Sequence, residues 1–177
     1  LTVEARDPYT EGHCHRLSVY ATAVGRALNL SEEELAALYR GAHLHDVGKI
    51  GIPDALLLKP SPLTAEEFTL VKQHTIIGER LCGGLRLLKP VRSIVRSHHE
   101  RLDGSGYPDG LRGDRVPLLA QIVGIVDTYD AMTTTRPYRA ALPSTVAYEA
   151  LLAEVTEGGL RRDLVETFIA LAPDGMI

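Results

Sequence analysis

Of 177 residues, two are cysteine, two are phenylalanine and none is tryptophan. Cys14 and Cys82 are too few for a disulfide framework, so they read as incidental thiols of a reducing compartment and the fold must rest on its core. Long hydrophobic runs are missing too. No apolar stretch approaches the roughly 20 residues of a membrane span, and the first dozen residues lack the basic start and apolar run of a secretory signal. The expectation is a cytoplasmic domain that makes no membrane contact of its own. Neither sign of charge dominates: 19 basic against 23 acidic residues leave a formal charge of −4, without the cationic field that holds a nucleic-acid polymer by counterion release. A small anionic ligand in a local pocket stays compatible with that balance. Repeats, low-complexity tracts and Gly/Ser linkers are also absent, so residues 1–177 read as one domain. Its start at Leu1 rather than Met suggests a piece of a longer protein.

What is present is an ordinary globular mixture, 45% hydrophobic and 24% charged, long enough to bury one core. From Leu17, the positions Tyr20, Ala21, Val24 and Leu28 follow the spacing of an amphipathic helix, with Thr10 as an upstream cap. Ser31 and Glu34 form a capping box for a second helix with Leu35, Leu38, Tyr39 and Ala42 on its stripe, ending near Gly48. Ile50 to Pro62 reads as a proline-rich loop. A second capping box, Thr64 with Glu67, opens a third helix that runs to about Cys82 and stops at Gly83 and Gly84. Pro90 starts a fourth helix and Pro117 a fifth, separated by a turn-rich loop from Asp103 to Gly113. Helical patterns at Val146–Val155 and Leu160–Leu171 follow. Strand alternation never persists, so the expected fold is all-α, a compact bundle of roughly seven helices.

Several polar residues fall on the stripes that should be buried. Asp46 continues the second helix's face through 35, 39, 42 and 46, and His45 lies three past Ala42. The stripe 91, 94, 95 of the fourth helix continues to His98 and His99. His74 lies three past Val71, and Asp127 and Asp130 lie four and seven past Val123. A lone inward histidine reads as a hydrogen-bonded core residue. A buried carboxylate without a partner costs several kcal/mol, and one shared cation offsets many such groups together. His15 and His43 each stand two residues from a candidate, about 200° round a helix, and are assigned to solvent or local hydrogen bonds. Cys14 between His13 and His15 diverges from both. The facing of His13 does not follow from the pattern.

Gly104-Ser105-Gly106 is followed by Gly110 after a helical element, which excludes a dinucleotide-binding glycine loop. Instead, His45-Asp46 with Gly48-Lys49, then His98-His99-Glu100, then Asp103-Gly104-Ser105-Gly106-Tyr107-Pro108 resemble, in order, the motifs of the HD-GYP domains of bacterial signalling proteins. The likeness extends from Asp7-Pro8-Tyr9-Thr10 and His13 through Thr133 to Arg139. It implies a helical HD-superfamily fold and a metal-dependent phosphodiesterase that opens cyclic di-GMP to linear pGpG and, in many members, GMP. It also implies a sensor domain upstream in a full-length protein that could be membrane-tethered. Carried over residue by residue, His13, His45, Asp46 and Asp127 resemble the ligands of a first metal. His74, His98 and His99, with Asp46 shared, resemble those of a second. Members with a third metal have a glutamate four positions before the first histidine; Tyr9 stands there, and Glu11 is two residues before His13. Two divalent ions are therefore expected. The mixed imidazole and carboxylate donors suit iron, manganese, zinc or nickel, and the family favours iron or manganese.

Two cations about 3.5–4 Å apart neutralise a phosphodiester and acidify a water between them. Asp46 and Lys49 are the expected catalytic pair, with the Lys49 ammonium on the scissile phosphate; the alternative is a surface lysine paired to Asp46 or Glu100. Lys49, Tyr107, Arg136 and Arg139 are the expected substrate contacts: Tyr107 as a stacking platform for a base, the arginines as forks on the second phosphate or its guanine. Surface charge on a connecting segment is the alternative for both arginines. Asp130 is expected to orient a metal ligand, or else to serve backbone groups at a helix end. Two other functions stay open. One is a regulatory module that binds the nucleotide without turnover and presents the Tyr107 loop to a diguanylate cyclase (GGDEF) domain or an adaptor. The other is hydrolysis of a different cyclic dinucleotide or a nucleoside phosphate.

Overall fold

A computed structural model describes residues 12–84, 86–135 and 140–171. Two helix starts follow directly from local chemistry. The Ser31 hydroxyl accepts from the Glu34 amide at 3.3 Å and the Glu34 carboxylate accepts from the Ser31 amide at 2.9 Å, opening α2 (Glu32–Leu44). Thr64 and Glu67 do the same for α4 (Ala65–Lys72). Each box satisfies amides that a helix start otherwise leaves without acceptors.

The remaining described helices are α1 (His13–Ala27), α3 (Asp54–Leu57), α5 (His74–Gly83), α6 (Val91–Ser97), α7 (Leu118–Thr133), α8 (Ser144–Thr156) and α9 (Arg162–Leu171), with short 3-10 turns at Val47–Gly51, Arg86–Leu88 and Gly113–Arg115. The expectation of an all-α bundle holds: among the described residues, the single strand-like feature is one bridge between Asp103 and Arg112. Two differences raise the helix count above seven. The third expected helix is broken at Gln73 into α4 and α5, where the Gln73 amide bonds only three residues back, to Leu70 O at 3.1 Å, and closes the turn. The expected loop 50–62 contains the single turn α3. Gly12, with a left-handed φ of 72°, is the N-cap of α1; the expected cap, Thr10, lies outside the described residues. Tyr39 is a further correction. Leu35, Leu38 and Ala42 are buried, whereas Tyr39, at the edge of that stripe, is 51% exposed.

The main core joins α1, α2, α6, α7, α8 and α9 through residues such as Leu17, Ala21, Leu38, Ile94, Val123, Leu151 and Phe168, all fully buried. A smaller cluster of Cys82, Val91 and Val95 joins α5 to α6. Between the two, the Val47–Gly51 turn lies directly on the backbone of α5: a Cβ at Gly48 would stand 1.8 Å from His74 O and 2.4 Å from Gly78 N. Only glycine permits that approach. No described helix is long and apolar enough to cross a membrane.

Because the α2 capping box is exposed and remote from the polar interior, Ser31→Ala isolates its contribution. The expected loss is about 1 kcal/mol, or about 2–4 °C in Tm for a chain of this size. Chemical denaturation, with metal content measured alongside and expected to be unchanged, checks it.

Candidate metal centre

Three of the inward histidines stand just past helix C-termini, where backbone carbonyls lack intrahelical partners. His45 caps α2, His98 caps α6, and His74 follows the end of α4. Each turns Nδ1 onto the carbonyl three residues back: His45 to Ala42 O at 2.8 Å, His74 to Val71 O at 2.8 Å and His98 to Val95 O at 3.0 Å. Facing a carbonyl, Nδ1 must carry the proton, so in the neutral ring Nε2 presents its lone pair to the interior. The three Nε2 atoms and Asp46 Oδ1 are buried with no hydrogen-bond partner. Cations held among these atoms would satisfy them together, and imidazole and carboxylate donors fit such ions chemically.

The donors form two groups, each with its atoms within 4.8 Å of one another: Asp46, His74, His98 and His99, and His13, His45 and Asp127. Asp46 lies between the groups, with Oδ1 3.3 Å from His74 Nε2 and Oδ2 3.3 Å from His45 Nε2. Asp127 on α7 brings Oδ1 to 3.5 Å from His13 Nε2 and 4.0 Å from His45 Nε2. The structure thus brings together all seven side chains expected as ligands. His13 is fixed from behind, its Nδ1 2.7 Å from Asp130 Oδ2. Asp130 in turn accepts from Arg16 Nε at 2.5 Å and Nη2 at 2.9 Å.

Burial and mutual repulsion set the protonation. Burial pushes His74 down and His99 down to about 4; burial and the neighbouring His99 and His45 hold His98 well below its ordinary value. These rings are therefore neutral near pH 7, the state a metal ligand needs. Burial also opposes charge on His45, but the adjacent Asp46 carboxylate outweighs it and raises the imidazole to about 9. Asp46 stays well below the carboxylate range despite burial, because Lys49 and His45 face it. Burial likewise opposes ionisation of Asp130, but its bonds to His13 and Arg16 prevail and bring it to about 2.

Lys49 Nζ lies 2.5 Å from Asp46 Oδ2, so its pairing with the carboxylate is present in the geometry. Tyr107 is half-buried, with its ring 4.7 Å from that of His99 and 6.3 Å from that of His74. Arg136, Arg139, Tyr9 and Glu11 lie outside the described residues. His15 and His43 are exposed and belong to neither donor group.

A family profile described as "HD domain" matches residues 2–157. The response regulator RpfG of Xanthomonas campestris pv. campestris, named a cyclic di-GMP phosphodiesterase, is 44% identical over 154 residues, which are 86% of this chain and 41% of that protein. The chain belongs to the HD-GYP branch of the HD-domain family. A Vibrio cholerae protein named 3'3'-cGAMP-specific phosphodiesterase 3 is 40% identical over 80% of this chain and 31% of its own length. Among solved structures, an HDG"Y"P protein of Bdellovibrio bacteriovorus superposes with a TM-score of 0.74 over 91% of this chain and 51% of that one, at 23% identity, a likeness of fold. The chain spans less than half the length of these curated relatives.

Two residues outside the expected site support this HD-GYP centre. Arg16, three past His13 on α1, was detectable as the next position on the same face. Glu100, a motif residue and one alternative partner for Lys49, is buried, and its carboxylate accepts instead from the amides of Asp109 at 2.7 Å and Leu111 at 2.9 Å. It closes the loop that carries Tyr107. The return is tight: a Cβ at Gly106 would stand 2.3 Å from Arg101 N and 2.5 Å from His99 O.

Glu100→Ala leaves both amides without their acceptor, at a cost of about 1–3 kcal/mol each. Faster hydrogen exchange at Asp109 and Leu111, with the metal stoichiometry retained, is the expected result; unchanged exchange there would contradict the clamp.

Proposed function

We propose that this domain hydrolyses cyclic di-GMP to linear pGpG, and onward to GMP, at a centre holding two divalent cations. The convergence of seven imidazole and carboxylate donors, four of whose buried atoms have no other partner, carries the reading. The relatives named as cyclic di-GMP phosphodiesterases support the substrate. His13, His45, Asp46 and Asp127 are assigned to one ion, and His74, His98 and His99 with the second oxygen of Asp46 to the other. When bound, such ions supply charge neutralisation for the phosphodiester and acidify a water. Thiolate is missing from the donor set, and imidazole with carboxylate suits iron or manganese, with zinc and nickel as alternatives.

In the reaction, a water oxygen bonds to phosphorus, the P–O3′ bond breaks and the released O3′ takes up a proton. This chain's own contribution is positional and electrostatic. Asp130 and Arg16 hold the His13 ring at its angle, and backbone carbonyls hold the rings of His45, His74 and His98. Lys49, already ordered against Asp46, offers its ammonium to an oxygen of the scissile phosphate. Arg136 and Arg139 grip the second phosphate or its guanine. GGDEF domains, adaptors and an upstream sensor are proposed partners of the complete protein, and the domain is taken to act in the cytoplasm.

A second substrate reading has its own observation: relatives of comparable identity are named for 3'3'-cGAMP. Purification under reducing, low-oxygen conditions, metal analysis, and incubation with each nucleotide separate the readings. Cyclic di-GMP is expected to give linear product with wild type. Asp46→Ala is expected to lose at least one metal and all hydrolysis while its circular dichroism stays helical. Nucleotide binding without product from a fully metallated wild type would convert the enzyme reading into the regulatory-module reading.

Arg139→Ala is expected to weaken substrate binding, seen as a raised KM at unchanged metal per chain. A changed metal stoichiometry would show that the guanidinium serves the centre rather than the substrate.

A further inference from the structure

α4 does more than lead the chain to His74. Phe68 is 43% exposed, and one turn on, the Lys72 ammonium lies 4.6 Å from the Phe68 ring centroid and 5.3 Å from that of Tyr107. The Phe68 and Tyr107 rings meet edge to face at 6.0 Å, and Tyr107 packs on His99. An accessible aromatic ring and a cation ordered against it therefore stand one ring away from the group of Asp46, His74, His98 and His99. The break at Gln73 separates their duties: His74 is buried at the start of α5, whereas Phe68 and Lys72 stay at the rim on α4.

We propose that Phe68 and Lys72 form a base-reading subsite that selects guanine over adenine. The inference rests on the cyclic-dinucleotide reading above and names what distinguishes one such substrate from another. A nucleotide whose phosphate lies at the donors carries its base one sugar further out, and one ring, Tyr107, stands between His99 and Phe68. The Phe68 ring offers a face on which a base stacks. An ammonium resting against two rings has its aliphatic stem ordered and its charge held at a fixed place beside them. Guanine presents two acceptors, O6 and N7, on one edge, and lysine is a natural donor to that pair; adenine places an amino donor where O6 would be. Lys72 therefore meets an acceptor in guanine and a competing donor in adenine.

The test compares dissociation constants and kcat/KM for cyclic di-GMP and cyclic di-AMP on the manganese-loaded chain, with metal per chain and Tm as controls. Glutamine pairs with N6 and N7 of adenine and arginine with O6 and N7 of guanine. Lys72→Gln is expected to move the ratio of dissociation constants about tenfold toward cyclic di-AMP, while Lys72→Arg keeps the guanine preference. Phe68→Leu is expected to weaken both nucleotides by about threefold or more with the ratio kept. An unmoved ratio in Lys72→Gln, or equal shifts in the two Lys72 variants, overturns the proposal. Should a Lys72 variant fail to fold, undiminished affinity in Phe68→Leu overturns it alone. A metallated wild type that binds neither nucleotide refutes the cyclic-dinucleotide reading instead, an outcome distinct from nucleotide binding without base preference.

Discussion

The bond from an imidazole Nδ1–H to the carbonyl three residues back, made at His45, His74 and His98, is the constraint on which the centre depends. It satisfies a carbonyl where a helix ends, settles which nitrogen carries the proton, and aims the other inward. Each consequence needs the others. A helix that continued past these positions would have no carbonyl to spare, and an opposite tautomer would present hydrogens, not lone pairs, to a cation. The ends of α2, α4 and α6 also bring the partial negative charge of helix C-termini toward the same interior. What results is costly for the protein alone, since three Nε2 atoms and Asp46 Oδ1 gain no hydrogen bond from it. Cation binding is therefore coupled to the stability of the fold.

The periodic stripes place six of the seven donors, all but His13, on inward faces even where the helices they imply are wrong, and the family resemblance adds His13 and the division into two ions. Asp46 was placed by extending the second helix to residue 46, although α2 ends at Leu44. The extension worked because His45 keeps helical backbone angles, φ −51° and ψ −39°, so the winding persists after the regular helix ends. His98 likewise keeps φ −65° and ψ −16°. His13 shows the opposite case. It stands four residues before Leu17 and shares its face because α1 begins at His13 itself, a start that the stripe from Leu17 onward does not mark. Tyr39 was misassigned because a large apolar side chain at the edge of a stripe satisfies the pattern without being covered; its ring packs on His43 instead.

Other features are pairings and breaks that periodicity does not reveal, even where it marks the faces of the residues involved. Asp130 meets Arg16 across 114 positions, and the pairing depends on how α1 crosses α7. Glu100 looks like a third donor after His98 and His99, but its carboxylate is consumed by two loop amides. The division of α4 from α5 arises from one tightened bond at Gln73, in a stretch without proline or glycine to announce it. Long-range polar pairing and single-bond helix breaks are properties of the packed state, and composition or spacing carries little of either.

The interior and the rim of this site are subject to different physics. Inside, His13, His45, Asp46, His74 and His98 are each held by a carboxylate, a carbonyl or an ammonium, and packing is close, as the Gly48 backbone pressed on His74 illustrates. Any substitution there disturbs geometry and charge together. At the rim, Phe68 and Lys72 sit on an α4 with no fully buried residue, and their contact with the donor His99 runs through the Tyr107 ring. Proteins named for cyclic di-GMP and for 3'3'-cGAMP are comparably similar to this chain. Under the proposal for Phe68 and Lys72, hydrolysis would rest on the buried donors and the choice of base on the surface of α4.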